Sequence, residues 1–323
     1  MFRDTPITFI SQGGFTSIIL MVGSYGKGMG IGTYVHTGNE SDLTCTDFLE
    51  YFGDDPKTRI ILMYIEGLRD GRRFLEAAAE ATQKKPVIAF KAGHSEAGKR
   101  ATSSHTGAMA GSDQVYSAAF KQTGVIRSPS MELMVTLGHA FLELPPLKSN
   151  RIGIITFPGG WGAIVADALI RRGLKVPEFS SELKQALSDL GVPYWASLKN
   201  PIDIGAAGGR AAYKDLLGRV SEMVLASDEI DGLVVYGLGS TSISMKNHVG
   251  DTPVELEEGE HFERLYDLSE QYRKPVLSCT FLPREVSQAV EMLVGKNKRV
   301  YHNVEEIGII LASLYQHYSR SGP

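Results

Sequence analysis

The chain of 323 residues is 43% hydrophobic and 22% charged with a net charge of -4, the balance of an ordinary globular protein and too long for one typical core. No basic cluster outweighs its acidic neighbours, which excludes a nucleic-acid surface, and the two cysteines, Cys45 and Cys279, are too far apart in sequence to make a metal-ligand pair. The N-terminus lacks a cationic segment leading into an apolar core, and the longest apolar runs fall well short of the roughly 20 residues of a membrane span. The expectation is a cytoplasmic, reduced protein of two domains.

Residues 7–11 read as a buried strand, and Gln12-Gly13-Gly14 turns into an apolar helix predicted over 15–24. A glycine pair between strand and helix lets backbone N–H groups at the helix start face an anion. A break at 28–32 precedes a short strand at 33–36 and a helix at 45–52. Residues 59–65 form a strongly β-forming run that closes on Glu66. Ligands in open α/β sheets gather outside the carboxyl ends of strands, so Glu66 stands where an orienting or catalytic carboxylate belongs. As an alternative it is an acidic residue favoured by a following helix dipole.

A helix at 71–82, a strand at 86–90, a helix at 113–122, a strand at 125–127 and a helix at 131–142 continue the alternation, which implies parallel βαβ units. Residues 143–150, with paired prolines, read as a linker. The opening then repeats: a strand at 151–157, the glycine turn Gly159-Gly160-Trp161-Gly162, and a helix predicted over 163–172. Further strands are expected at 232–236, 275–280 and 298–301, and a last helix at 304–318. The reading is α/β, with two flavodoxin-like parallel-sheet domains at 1–146 and 147–323.

Residues 90–113 show no apolar period and read as a long ordered loop with no helix of its own. His105 stands in its middle, flanked by Ser103, Ser104, Thr106 and Gly107, small and hydroxylic neighbours that let backbone approach an anion. A histidine in such a loop is either a solvated surface residue or a catalyst. Two glycine helix starts, each offering roughly half a positive charge, could hold a phosphohistidine from both sides. Glu66 would then accept a hydrogen bond from one imidazole nitrogen and leave the other free to attack phosphorus. Gly93 to Lys99 matches most of a P-loop, but Arg100 replaces the magnesium-binding Ser or Thr, so it is read as a chance match. Trp161 is either a core aromatic or the cover of an acyl group. Asp203 reads as a strand-end residue with a weak claim to a site, and residues 255–260 as a solvated loop or helix start.

Together, Lys91-Ala92-Gly93-His94, Ser103-Ser104-His105-Thr106-Gly107, Tyr64-Ile65-Glu66-Gly67, Ser11-Gln12-Gly13-Gly14 and Gly159-Gly160-Trp161-Gly162 resemble the ADP-forming acyl-CoA synthetases, relatives of succinyl-CoA synthetase. The resemblance covers nearly the whole chain. It implies that His105 is the phosphorylated residue and Glu66 its catalytic partner. It also implies that Ser11, Gln12, Gly13, Gly14, Ser104, Thr106, Gly107, Gly159, Gly160, Trp161 and Gly162 hold phosphate. In such enzymes an ATP-grasp portion makes an acyl phosphate from ATP and a carboxylic acid, the histidine carries the phosphoryl group, and coenzyme A takes the acyl group, reversibly. This sequence matches only the two flavodoxin-like domains. The resemblance therefore implies an oligomeric assembly in which a CoA-binding domain protein and an ATP-grasp subunit bring CoA, ATP or ADP and magnesium. No metal or cofactor is expected on this chain alone. A non-catalytic anion-binding or assembly subunit of the same fold is the alternative.

Overall fold

The computed structural model describes residues 4–98, 100, 112–157, 159–192, 196–204, 210–240 and 254–320. The chain divides into two compact units, Met1–Glu143 with Arg320–Pro323, and Leu144–Ser319.

The first unit runs β1 (Ile7–Ser11), α1 (Gly14–Gly26), β2 (Thr33–His36), α2 (Cys45–Asp54), β3 (Ile60–Ile65), α3 (Gly71–Lys84), β4 (Val87–Lys91), α4 (Asp113–Thr123), β5 (Ile126–Arg127) and α5 (Met131–Glu143). Its strands pair in parallel in the order β2-β1-β3-β4-β5, the flavodoxin order. Every residue of β3 is buried, as a central parallel strand covered on both faces demands. Ile61, Met63 and Ile65 on one face of β3 pack with Leu49, Phe74, Ala78 and Phe120 from the helices. Helix starts are marked in the sequence: Thr44 and Asp47 form a reciprocal capping box on α2, and Asp70 caps α3.

The second unit runs β6 (Ile152–Thr156), α6 (Gly160–Ile170), α7 (Ser181–Asp189), β7 (Ile202–Asp203), α8 (Arg210–Ala226), β8 (Gly232–Tyr236), α9 (Val254–Tyr272), β9 (Val276–Cys279), α10 (Gln288–Gly295) and α11 (Val304–Tyr318). Its parallel sheet is ordered β7-β6-β8-β9, with Tyr301 adding an isolated parallel bridge to Cys279. Both sheets thus reverse their direction of growth beside their first strand, between β1 and β3 and between β6 and β8. Asn200 completes the short β7 edge by lending its side chain to the ladder. Its Oδ1 accepts the Ile154 N–H at 2.9 Å and its Nδ2 donates to the Ile152 carbonyl at 2.8 Å.

Three expectations are corrected. Residues 298–301 do not form a strand. The Lys298 N–H still closes on the Leu293 carbonyl at 2.8 Å, and Asn297 takes a φ of 57°, so the backbone curls out of α10 until Tyr301 meets the sheet. Helix α6 begins at Gly160 rather than at residue 163, because a first turn needs no apolar period to be helical. Of the two readings of residues 255–260 the helix start holds, since α9 opens at Val254. Within 90–113 a helical turn starts at Glu96, where the Ser95 hydroxyl accepts the Gly98 N–H at 3.1 Å as an N-cap.

Candidate functional site

In the first unit the carboxyl ends of β1 and β3 are fastened together by Gln12. Its side-chain oxygen accepts the N–H groups of Glu66, at 2.5 Å, and of Gly67, at 3.0 Å, while its nitrogen donates to the Gly67 carbonyl at 2.8 Å. The carboxamide mimics a strand residue and fixes where Glu66 leaves the sheet. Ser11 is fully buried, and its hydroxyl stands 2.6 Å from that of Ser17 and accepts the Gly13 N–H at 3.1 Å. The side chains of Ser11 and Gln12 therefore build the turn. Gly13 is buried with them, and the backbone comes toward the surface from Gly14 onward.

Helix α1 starts there with no side-chain cap on Gly13 and no acidic residue in its first turn, which leaves its N–H groups to an outside acceptor. The glycines are imposed by close approach. A Cβ on Gly13 would lie 2.8 Å from Cε1 of Tyr64, and one on Gly14 2.8 Å from Cε1 of His36. Tyr64 and Glu66 share one face of the β3 edge by strand period, and the Tyr64 hydroxyl donates to Glu66 Oε1 at 3.1 Å. Burial, reinforced by the Glu66 charge, pushes the Tyr64 pKa up, so this phenol stays a donor across the ordinary pH range. The Tyr64 ring stacks on Phe90 at 6.0 Å, and Phe90 meets the His94 ring edge-on at 5.6 Å.

Both ends of the segment that carries His105 in sequence are tied to this sheet edge. Arg127 donates to Asp113 Oδ1, and His94 Nδ1 lies 3.0 Å from the same oxygen. The Arg127 guanidinium above all, with His94 adding, holds the Asp113 carboxyl down at about 2 against the opposing effect of burial. Lys91, 1% exposed, donates to the Ala92 carbonyl and lies 4.6 Å from the centre of the Tyr116 ring, whose hydroxyl accepts the Leu68 N–H at 3.1 Å. His105, Ser104, Thr106 and Gly107 lie outside the described residues.

In the second unit α6 likewise starts with an uncapped Gly159 and no acidic residue in its first turn. A Cβ on Gly159 would overlap the Asp203 carboxylate, and one on Gly162 would lie 2.9 Å from Cβ of Pro201. Asp203 thus stands against the turn. The Trp161 ring stacks nearly parallel on Tyr236, with centroids 4.5 Å apart, and on Phe281 at 5.7 Å. Tyr236 is buried, which pushes its pKa up to about 12, whereas Phe281 is 51% exposed. Sequence reasoning passed over Tyr64, Asp113, Arg127, Tyr236 and Phe281 as site residues. Only Tyr64, two positions before Glu66 on a strand, left a local signal. Among the described residues no three metal-ligating side chains cluster, and no helix is long and apolar enough to cross a membrane.

The family described as Succinyl-CoA ligase like flavodoxin domain matches residues 4–141. Subunit alpha of acetate–CoA ligase [ADP-forming] II from Pyrococcus furiosus is 35% identical over 318 residues, which is 98% of this chain. The chain belongs to the succinyl-CoA ligase-like family of ADP-forming acyl-CoA ligases. Subunit alpha of acetate–CoA ligase [ADP-forming] I from the same organism is 36% identical over 96% of this ligase-family chain. The acetyl-coenzyme A synthetase 1 of Ca. Korarchaeum cryptofilum, solved in complex with phosphate and ADP, superposes with a TM-score of 0.83 at 29% identity over 99% of the chain. The chain spans 66% and 64% of the two Pyrococcus subunits and 66% of the korarchaeal one.

Proposed function

We propose that the chain is the phosphohistidine-carrying component of an ADP-forming acyl-CoA synthetase, in which acid, CoA and ATP give acyl-CoA, ADP and phosphate, reversibly. The observation that carries this is the β1/β3 edge, where an uncapped helix start and a Glu66 fixed by Gln12 and Tyr64 stand on one fastened turn. His105 takes the phosphoryl group. Glu66 holds one imidazole nitrogen, so that the lone pair of the other is directed at phosphorus. The N–H groups at the start of α1 compensate the charge on the phosphoryl oxygens, and those at the start of α6 serve the carboxylate or acyl phosphate. Separate CoA-binding and ATP-grasp parts supply the thiol and the nucleotide with its magnesium, in a cytoplasmic assembly. Two domains, 1–146 and 147–323, each contribute one glycine turn.

The test is mass spectrometry under alkaline conditions, after incubating the chain with ATP, acid and its partner chains. Phosphate on His105, absent from His105→Ala, is the expected result. No phosphate with a competent donor and all partners present would overturn the proposal in favour of a non-catalytic binding subunit.

A further inference from the structure

We infer that Lys91 is a positioning residue for phosphoryl transfer, whose buried ammonium ends the β3–β4 ladder and fixes where the segment that carries His105 in sequence leaves the sheet beside Glu66. The inference rests on the function proposed above and adds a residue to the same site.

Lys91 is the last residue of β4 and 1% exposed, the one fully buried lysine or arginine among the described residues. By strand period its side chain shares a face with Val87 and Ala89, and in the ladder it stands beside Ile65. Those three residues and Tyr116 belong to one apolar cluster. A position that had only to fill this space would be served by Met or Leu, without the cost of taking an ammonium out of water.

The backbone shows what the ammonium supplies. The Ala92 N–H donates to the Ile65 carbonyl at 2.9 Å, as the next rung of a parallel ladder. The same ladder would bring the N–H of Gly67 to the Ala92 carbonyl. That N–H is taken by Gln12, whose Oε1 accepts it at 3.0 Å, and Lys91 Nζ donates to the Ala92 carbonyl in its place. Gln12 and Lys91 thus complete the two sides of one interrupted rung, and the ladder stops at Glu66. The ammonium also lies 4.6 Å from the centre of the Tyr116 ring, whose hydroxyl accepts the Leu68 N–H at 3.1 Å. One cation therefore touches the chain that enters the His105 segment and, through Tyr116, the chain that leaves Glu66. It sets the offset between them.

The test follows phosphate on His105 by mass spectrometry under alkaline conditions, in wild type, Lys91→Met and Lys91→Gln, each with its CoA-binding and ATP-grasp partners, ATP and a mixture of acetate, butyrate and benzoate. Denaturant midpoints are measured alongside. Lys91→Met keeps the bulk but not the donor. Its maximal labelling rate should fall about tenfold to thirtyfold, within the roughly hundredfold that a misplacement of about 1 Å can cost, with the fold retained and KM for ATP unchanged. Lys91→Gln keeps an N–H donor without the charge and should label within about threefold of wild type. Labelling by Lys91→Met at the wild-type rate would overturn the inference and leave the proposed function standing. So would a raised KM for ATP, a Lys91→Gln as slow as Lys91→Met, or a Lys91→Met that does not fold, since each assigns the ammonium to another task. Wild type without phosphate on His105 would overturn both.

Discussion

Gly13-Gly14 and Gly159-Gly160 occupy the same topological place, each ending the first strand of a parallel sheet and opening an uncapped helix, yet their surroundings differ in kind. The first turn is polar and braced: Gln12 bridges two strand ends, Tyr64 donates to Glu66, and a buried Lys91 and the Arg127–Asp113 pair fasten the neighbouring segment. The second turn carries Trp161 stacked on Tyr236 and Phe281, and the Asp203 carboxylate stands against it. One backbone device for holding an anion has thus been given two chemical settings. A carboxylate held in place by its neighbours suits an imidazole whose nitrogen must point at phosphorus. An apolar platform suits the organic part of an acid.

The largest effect should come from Glu66. Glu66→Gln keeps the shape and the hydrogen bond from Tyr64 but removes the charge that orients the histidine, and labelling of His105 should slow by about a hundredfold, the low end for loss of a positioned acid–base partner. Phe281→Ala should leave that rate alone. If instead Glu66→Gln changed only the choice of acid, the division of labour between the turns would be wrong.

Next in size are the glycines themselves. Gly159→Ala drives a methyl into the Asp203 carboxylate on a neighbouring strand end and should cost about 1–3 kcal/mol by denaturant unfolding, the usual range for overpacking. Gly13→Ala meets only the edge of the Tyr64 ring, which can tilt, and should cost less stability but more catalysis, since the tilt takes the hydroxyl away from Glu66. Equal losses in both variants would mean that the two turns are packed alike.

Gln12→Leu follows. It leaves the buried N–H groups of Glu66 and Gly67 without their acceptor, at about 1–2 kcal/mol, and amide exchange at those two positions should quicken roughly fivefold to thirtyfold. A variant that exchanged no faster there would show that Gln12 does not brace the turn.

How far the fold was legible follows from the same residues. The alternation of buried strands with helices was plain because β3 and β6 are unbroken apolar runs, and the two glycine turns were plain because few contexts other than a tight strand-to-helix turn place Gly-Gly there. The start of α6 was misplaced by three residues, since Gly160-Trp161-Gly162 carries no period to read. The site was half legible. Glu66 could be read from its place at a strand end, but the role of Gln12 as a brace depends on β1 and β3 being neighbours, a pairing 54 positions apart in sequence. Tyr236 and Phe281 were invisible as partners of Trp161 for the same reason. Only the sheet order brings the ends of β6, β8 and β9 together.

The smallest effect distinguishes the first turn by its response to acid. Asp113 holds one end of the His105 segment through Arg127 and His94, and its folded carboxyl titrates near 2, against an unfolded value of about 3.9. A carboxyl depressed on folding contributes its stability fully above the unfolded value and loses it as pH falls through the folded one. The contribution should therefore be complete at pH 5 and above and fade between about pH 4 and pH 2. Because Asp113 is about a third exposed, water screens the pair, and Asp113→Asn should cost under about 1 kcal/mol at pH 7. Denaturant midpoints for wild type and variant, compared at pH 7, 5, 3.5 and 2.5, should run parallel down to pH 5 and converge below it. A gap that stayed constant to pH 2.5 would mean that the pairing with Arg127 does not hold this end of the segment, and that its fastening depends on Lys91 and Tyr116 alone.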